Sequence, residues 1–179
     1  MQKKAFPLAK VYTLLEPGPV LLLCTVDAKG RANLMPQSWH TMLEFEPPLV
    51  GCVVSNRNHS FGPLRTTREC TLNIPDASIG EQVARCGNCS GRRIDKFRRF
   101  GLTPVPAMSV RPPLVDECFA CLECRVVDTR MVAAYGLFVL EVKQAWADGR
   151  VRAPQTLHHR GRGRFMTAGP ELRLRSRAK

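Results

Sequence analysis

Long apolar runs, the mark of membrane-spanning helices, are missing from this sequence of 179 residues. The apolar segments are short, such as Val20 to Cys24 and Leu49 to Val54, whereas a transmembrane helix needs about 20 consecutive apolar residues. Glu-Pro-Gly-Pro at 16–19 interrupts the segment behind the N-terminal lysines, which is atypical of a signal peptide. We therefore predict a protein that has no membrane partner and is located in the cytoplasm.

Acidic residues are scarce, above all near the C-terminus. The chain has 27 Lys and Arg against 15 Asp and Glu, a formal net charge of +12. The segment 150–179 holds nine of the basic residues and a single acid, Glu171. Such a segment either binds an anionic partner or forms a solvated surface. The anionic candidates are nucleic acid, a phosphate-bearing cofactor and an acidic protein face, and for 173–179 the solvated surface is favoured.

Glycine-rich nucleotide signatures are absent too. The sequence contains no G-x-G-x-x-G and no Walker loop, which leaves out the commonest dinucleotide and nucleoside triphosphate motifs. It also has no internal repeat. Its length and its 44% apolar content are those of an ordinary globular domain. We predict one domain over 1–179, ending in a basic, loop-rich segment at 150–179.

The hydrophobic pattern predicts more strands than helices. Strands are predicted at 20–26, 31–35, 49–55, 70–74, 121–130 and 137–146. Short helices are predicted at 9–16, 60–68, 78–85 and 95–100, the second capped by Ser60 and the third by Ser78 in capping-box spacing with Glu81. Because the elements do not alternate regularly as in a doubly wound sheet, we expect an antiparallel β-barrel with a few packed helices.

The chain has eight cysteines, and five of them form three Cys-x-x-Cys units, at 86–89, 118–121 and 121–124, of which the last two share Cys121. Structural zinc is held by four such ligands, usually on tight knuckles. Only the first unit contains a glycine, and Cys124 lies in a strand-like stretch. Buried cysteines are therefore favoured over a metal or cluster site and over a redox thiol pair, and we assign no metal ligands.

Two polar turns are the candidate binding site. One runs from Asn33 to Thr41 after the first predicted hairpin, and the other from Ser55 to Ser60 opens a helical segment. Hydroxyls, amides and an arginine at a helix start suit a phosphate monoester. The alternative is a polar turn with a serine cap.

The same residues carry a resemblance to a known family. The matching motifs are Asn-Leu-Met at 33–35, Ser-Trp-His-Thr-Met at 38–42, Pro-Pro-Leu-Val-Gly at 47–51, Ser-x-Arg-Asn-His-Ser-Phe at 55–61, Leu-Asn-Ile-Pro at 72–75, Cys-Gly-Asn at 86–88, Ser-Gly-Arg at 90–92, Asp-Lys-Phe at 95–97, Phe-Gly-Leu-Thr-Pro at 100–104, Glu-Cys at 117–118, Leu-Glu-Cys-Arg-Val at 122–126 and Leu-His-His-Arg-Gly at 157–161. In this order they resemble the flavin reductase-like family, and its flavoredoxin branch most of all.

The resemblance implies an FMN-binding split β-barrel that works as a homodimer, with non-covalent FMN at or near the subunit interface. It also implies electron transfer from NADH, NADPH or another donor. The residues that it places at the cofactor are Asn33, Trp39, Ser60, Lys96 and Phe165. Four polar neighbours of these positions are added as candidates: Gln37, Ser38, Ser55 and Asn58. The chain departs from the family at Tyr135, where a histidine is expected. It also departs at Cys89 and Cys121, where residues other than cysteine are expected.

The implied chemistry needs no protein acid or base, because a hydride passes directly to the flavin, so no catalytic residue is assigned. Lys96 contacts either the phosphate or the N1–C2=O end of the ring; otherwise it is a solvated helix lysine. Trp39 either walls the ring or packs in the core. His158 and His159 either meet a nicotinamide phosphate or cap the barrel. Ser60→Ala and Lys96→Ala are expected to weaken FMN retention without changing the stability of the apoprotein.

Three functions follow from this reading. The first is an FMN-dependent NAD(P)H oxidoreductase that reduces flavin or a protein electron acceptor. The second is a non-catalytic FMN-binding protein. The third is a zinc- or cluster-binding module that contacts nucleic acid through its basic tail. We do not favour nucleic acid as a partner.

Overall fold

The computed structural model describes residues 3–15 and 18–175. The strands are β1 (Lys4–Ala5), β2 (Leu21–Val26), β3 (Ala32–Gln37), β4 (His40–Glu44), β5 (Leu49–Val53), β6 (Glu69–Ile74), β7 (Pro104–Val105), β8 (Leu114–Val115), β9 (Ala120–Asp128), β10 (Leu137–Ala147), β11 (Leu157–His159) and β12 (Phe165–Thr167). The helices are α1 (Tyr12–Leu15), α2 (Phe61–Thr67), α3 (Gly80–Gly87), α4 (Lys96–Phe100) and α5 (Val132–Tyr135), with 3-10 turns at Leu8–Lys10 and Ala77–Ile79.

One antiparallel sheet forms the body of the molecule. Its strands follow the order β3-β2-β6-β9-β10-β5-β4, and β1 pairs with β10. The long pair β9–β10 carries two register shifts, between Val139 and Leu140 and between Val142 and Gln144. Such bulges bend a strand and increase its twist, which helps the sheet to curl. Two short hairpins, β7–β8 and β11–β12, lie outside this sheet.

The core lies on both faces of the sheet, and β2 shows why. Leu21 and Leu23 belong to the cluster inside the curl, whereas Val20, Leu22 and Cys24 belong to a second cluster with α3 and α4. Successive side chains of a strand point to opposite faces. A run of six buried residues in β2 is therefore what a strand covered on both sides requires.

Several predicted elements need correction. The helix predicted at 9–16 is a 3-10 turn followed by α1, with Glu16 outside the described residues. Ser78 is not the helix cap, because Asp76 caps the preceding 3-10 turn by accepting the Ser78 amide at 3.0 Å, and α3 begins later. Ser60 stands at the start of α2, but its hydroxyl makes no capping hydrogen bond.

Seven of the eight cysteines are buried and Cys89 is partly buried, which confirms the expected burial; all eight are free thiols. Burial raises the pKa of Cys86 to about 11 and that of Cys52 to about 12, so both stay protonated at neutral pH. Over 3–15 and 18–175, no three metal-ligating side chains converge on one point. Within the same ranges, no helix is long and apolar enough to cross a membrane.

Candidate functional site

Two adjoining cavities lie where β3 meets α3, and they share Pro36 and Gly87. The polar cavity, of about 280 Å³, is lined by Asn33, Met35, Pro36, Arg57, Asn58, His59, Ser60, Cys86, Gly87, Cys89, Ser90, Gly91 and Lys96. The hairpin cavity, of about 320 Å³, is lined by Val20, Pro36, Gln37, Ser38, Ala84, Gly87, Asn88, His159, Gly163 and Phe165.

A buried amide and a buried hydroxyl form the floor of the polar cavity. Asn33 projects from β3, and its Nδ2 donates to Oγ of Ser60, at the start of α2, over 2.8 Å. Oδ1 of Asn33 is buried and has no hydrogen-bond partner in the described part of the chain. A buried acceptor without a donor is costly. This pair therefore offers an incoming ligand one unused acceptor, together with the hydroxyl hydrogen of Ser60.

Gly91 closes over this pair. A Cβ at position 91 would overlap Oδ1 of Asn33 and lie 3.2 Å from Cδ2 of His59. Only glycine leaves room there, because every other residue carries a Cβ. The backbone of the Ser90–Gly91 turn thus approaches the floor of the cavity closely.

Lys96 is the buried cation of the polar cavity. It is 4% exposed, and its Nζ donates to the carbonyl oxygens of Leu34 at 2.7 Å and Cys86 at 2.6 Å. No carboxylate of the described residues pairs with it. An ammonium has three N–H donors, so one remains for a ligand. Burial lowers the pKa of Lys96, because removal from water disfavours the charged form.

The turn between β5 and α2 adds further positive charge. Its backbone is held by the Ser55 hydroxyl, which accepts the Arg57 amide at 3.2 Å, and by a bond from the Asn58 amide to the Ser55 carbonyl at 2.9 Å. Burial lowers the pKa of His59, and so do the nearby charges of Arg92, Arg31 and Lys96. The polar cavity is therefore a region of positive potential that favours an anion.

The hairpin cavity is less charged. Gln37 is buried, and its side chain is committed internally, because Nε2 donates to the Val53 carbonyl at 2.8 Å and the Trp39 carbonyl at 3.0 Å. The Phe165 ring on β12 packs against His159 on β11, with ring centroids 5.2 Å apart and the ring planes tilted by 50°. An aromatic ring and a glycine at one wall suit a flat ligand.

The predicted site residues fall into three groups. Those on the polar cavity are Asn33, Asn58, Ser60 and Lys96. Those on the hairpin cavity are Gln37, Ser38 and Phe165, while Ser55 and Trp39 line neither cavity. Their contact with a cofactor stays a prediction.

Two of the alternative readings are wrong. Trp39 does not pack in the core, since it is 72% exposed, and Lys96 is not a solvated helix lysine. His59 and Gly91 were missed as site residues, although both stand inside motifs that carry the resemblance. The steric role of Gly91 depends on its contact with a residue 58 positions away, which no local pattern indicates.

Comparison with known proteins identifies the family. The "Flavin reductase like domain" family matches residues 14–167. The "Uncharacterized protein YddH" of Escherichia coli (strain K12) is 33% identical in an alignment 172 positions long, and the match covers 89% of this chain and 91% of that protein.

Solved structures agree. The FMN-binding domain of a flavin reductases-like enzyme from Shewanella baltica OS155 superposes with a TM-score of 0.91 at 26% identity, covering 97% of this chain and 98% of that one. Flavoredoxin from Methanosarcina acetivorans superposes with a TM-score of 0.75 at 25% identity, covering 87% of each chain. The predicted resemblance and the predicted fold, a mainly β, antiparallel split barrel with a few helices, are confirmed.

Proposed function

Because this chain belongs to the flavin reductase-like domain family, we propose that it is an FMN-binding oxidoreductase that takes electrons from NADH or NADPH. The acceptor is either a free flavin or the redox centre of another protein. The similar protein from Shewanella baltica is an FMN-binding domain, which supports the choice of flavin.

The observation that carries the proposal is the buried group at the floor of the polar cavity. Ser60 and Lys96 each retain a hydrogen-bond donor, and Asn33 retains an acceptor. FMN offers the complementary set, since its phosphate accepts hydrogen bonds and its ribityl hydroxyls donate them. We place the phosphate at Ser60, Lys96 and the Arg57 turn.

The flavin ring is then assigned to the adjoining hairpin cavity. Phe165 supplies an aromatic surface there. Ser38, Asn88 and His159 also line this cavity and supply polar groups for the ring edge. Bound FMN supplies the hydride chemistry, while the protein orients the ring and leaves one face open to a donor.

We also propose that the chain works as a homodimer. Three large apolar residues are exposed along the edge strand β4 and just beyond its ends: Trp39 at 72%, Leu43 at 49% and Phe45 at 56%. Tyr135, at the end of α5, is 65% exposed. An unpaired sheet edge bordered by such side chains is a surface that proteins normally cover. A second copy of this chain is the partner that we assign to it.

An absorbance spectrum of the purified chain tests the function. We expect a yellow protein with bands near roughly 375 and 450 nm, which belong to the flavin itself, and release of FMN on heating. The bands should bleach anaerobically with NADH or NADPH. Bound flavin without nicotinamide oxidation would favour the non-catalytic FMN-binding protein instead. A chain that is colourless after incubation with excess FMN and removal of the unbound flavin would contradict both.

A further inference from the structure

The loop that joins β11 to β12 carries Arg160, Arg162 and Arg164 within five residues. We call 160–164 the arginine tip. All three side chains are exposed, and none forms an ion pair with a residue of the described ranges. No acidic residue occurs anywhere from 151 to 170. The positive charge of the tip is therefore not compensated locally.

The arginine tip has a defined shape and position. The Arg160 amide donates to the Arg164 carbonyl over 2.8 Å, and the Arg164 amide donates to the Gly161 carbonyl over 3.0 Å. The hairpin is fastened to the barrel, since Leu157 is buried and its carbonyl accepts the Val20 amide at 2.7 Å. The backbone of all three arginines therefore belongs to one hydrogen-bonded loop, which is held at a fixed place next to the start of β2.

That place borders the hairpin cavity but not the polar cavity. Gly163 lines the hairpin cavity from within the tip, and His159 and Phe165 line it from the flanking strands. The proposed site for the FMN phosphate, at Lys96 and its neighbours, lies in the polar cavity on the other side of Pro36 and Gly87. The charge of the tip thus exceeds what FMN needs and lies where a second ligand would enter.

We propose that the arginine tip binds the 2′-phosphate of NADPH and makes NADPH the preferred electron donor over NADH. This inference rests on the proposed function. A phosphate monoester carries close to two negative charges at neutral pH, and arginine binds its oxygens in a planar, two-pronged geometry. NADH lacks this group and differs from NADPH in no other way, so uncompensated arginines at the donor entrance discriminate between the two.

The test compares two triple variants that each remove three positive charges. R160Q/R162Q/R164Q removes the tip, and R65Q/R173Q/R175Q removes exposed arginines elsewhere that also lack ion pairs in the described ranges. Calorimetry with adenosine 2′,5′-bisphosphate in saturating FMN, which occupies the polar cavity, reports binding at the tip directly. For the tip variant we expect the Kd of this probe, and the KM for NADPH of the FMN-loaded protein, to rise at least about tenfold.

The other parameters should stay nearly constant. In the tip variant, kcat and the KM for NADH should change less than about twofold, because only the 2′-phosphate contact is lost. The control variant should behave as wild type. R160K/R162K/R164K should recover only part of the affinity for the probe, because lysine keeps the charge but not the two-pronged geometry. Thermal denaturation shows whether each variant is folded.

Three results would overturn the inference. They are an unchanged probe affinity in the tip variant, an equal loss in the control variant, and an equal rise in the KM values for NADPH and NADH. The proposed function fails separately. A wild-type chain that holds no FMN contradicts that function, while calorimetry with the bisphosphate probe still decides the role of the arginine tip.

Discussion

Lys96 has two roles that a sequence cannot separate. Its Nζ holds the carbonyl oxygens of Leu34 and Cys86, and thereby joins β3 to the end of α3. It also presents a positive charge to the polar cavity. The sequence predicts no change in apoprotein stability for Lys96→Ala, but the structure predicts a loss. This change removes the hydrogen-bond donor of two carbonyl groups. Ser60→Ala strands no carbonyl, although Nδ2 of Asn33 loses its acceptor.

We accordingly expect Lys96→Ala to lower both FMN affinity and stability. FMN affinity should fall at least about tenfold through loss of a charged phosphate contact, and the apoprotein should lose roughly 1–3 kcal/mol of unfolding free energy. Ser60→Ala should weaken FMN binding with a smaller loss of stability. Fluorescence titration with FMN and urea denaturation of the apoprotein measure the two effects. Wild-type FMN affinity in both variants would contradict the assignment of Ser60 and Lys96 to the FMN site.

The lowered pKa of Lys96 gives the site a pH dependence. Only the ammonium form attracts the phosphate, and its pKa lies below that of an ordinary lysine. As pH rises, FMN affinity should therefore decline at a lower pH than in Lys96→Arg, whose side chain stays charged throughout. Titration with FMN between about pH 7 and 10 compares the two proteins. Parallel curves would show that Lys96 does not contact the phosphate.

Gly91 allows a steric test of the close approach between the Ser90–Gly91 turn and Asn33. In Gly91→Ala the new Cβ overlaps Oδ1 of Asn33, so the amide must rotate away from the cavity and its bond to Ser60 is disturbed. We expect FMN affinity to fall about tenfold, or about 1.4 kcal/mol. Gly149→Ala is the matched control, because its Cβ would meet nothing within 4 Å and its φ is not positive. Equal affinities in the two variants would rule out the close approach.

At the scale of elements, β9 fastens a loop through one buried carboxylate. Glu123 is fully buried and accepts the Ser109 amide at 2.6 Å, the Ser109 hydroxyl at 2.7 Å, the Met108 amide at 3.0 Å and Nε1 of Trp146 at 2.8 Å. Burial alone would raise the pKa of this carboxyl. The hydrogen bonds outweigh burial, however, and hold the pKa below its ordinary value.

The sign of the pH effect follows from that lowered pKa. Glu123 stabilises the fold above the pKa that it has in the unfolded chain, and this contribution is lost as pH falls through the lower pKa of the folded state. We expect Glu123→Gln to destabilise the protein by roughly 1–3 kcal/mol at pH 7, and by less near about pH 3. Urea denaturation at both values measures this. Glu81→Gln, at an exposed site in the first turn of α3, should change stability by less than about 1 kcal/mol at either pH. A pH-independent loss in Glu123→Gln would contradict the argument.

The strands differ in how clearly the sequence predicts them. The run at 20–26 indicated β2, because a strand that is covered on both faces needs continuous apolar residues. The edge strand β4 was missed, since its residues are mostly exposed or partly buried and give no clear apolar pattern. The residues that form the site were partly found, but the contact of Asn33 with Ser60 joins positions 27 apart. Strand order and register create that contact, and neither can be read from local sequence.

On the scale of the whole molecule, the proposed homodimer depends on the exposed apolar residues at the edge strand β4. Each chain has a mass of 20.0 kDa, so a homodimer should sediment at about twice that mass. Phe45→Glu puts a charge into the apolar surface beside β4, where desolvating it on assembly is costly. Met108→Glu is the control, because Met108 is 80% exposed and lies in the loop held by Glu123.

Sedimentation equilibrium should then give a dimer for the wild type and for Met108→Glu, and a monomer for Phe45→Glu. A wild-type monomer at all concentrations, or dissociation of both variants alike, would count against a second copy as the partner of this edge. FMN affinity of the Phe45→Glu monomer adds a further distinction. Because Asn33, Ser60 and Lys96 all come from one chain, phosphate binding should survive dissociation, whereas any loss would mean that the second copy completes the site.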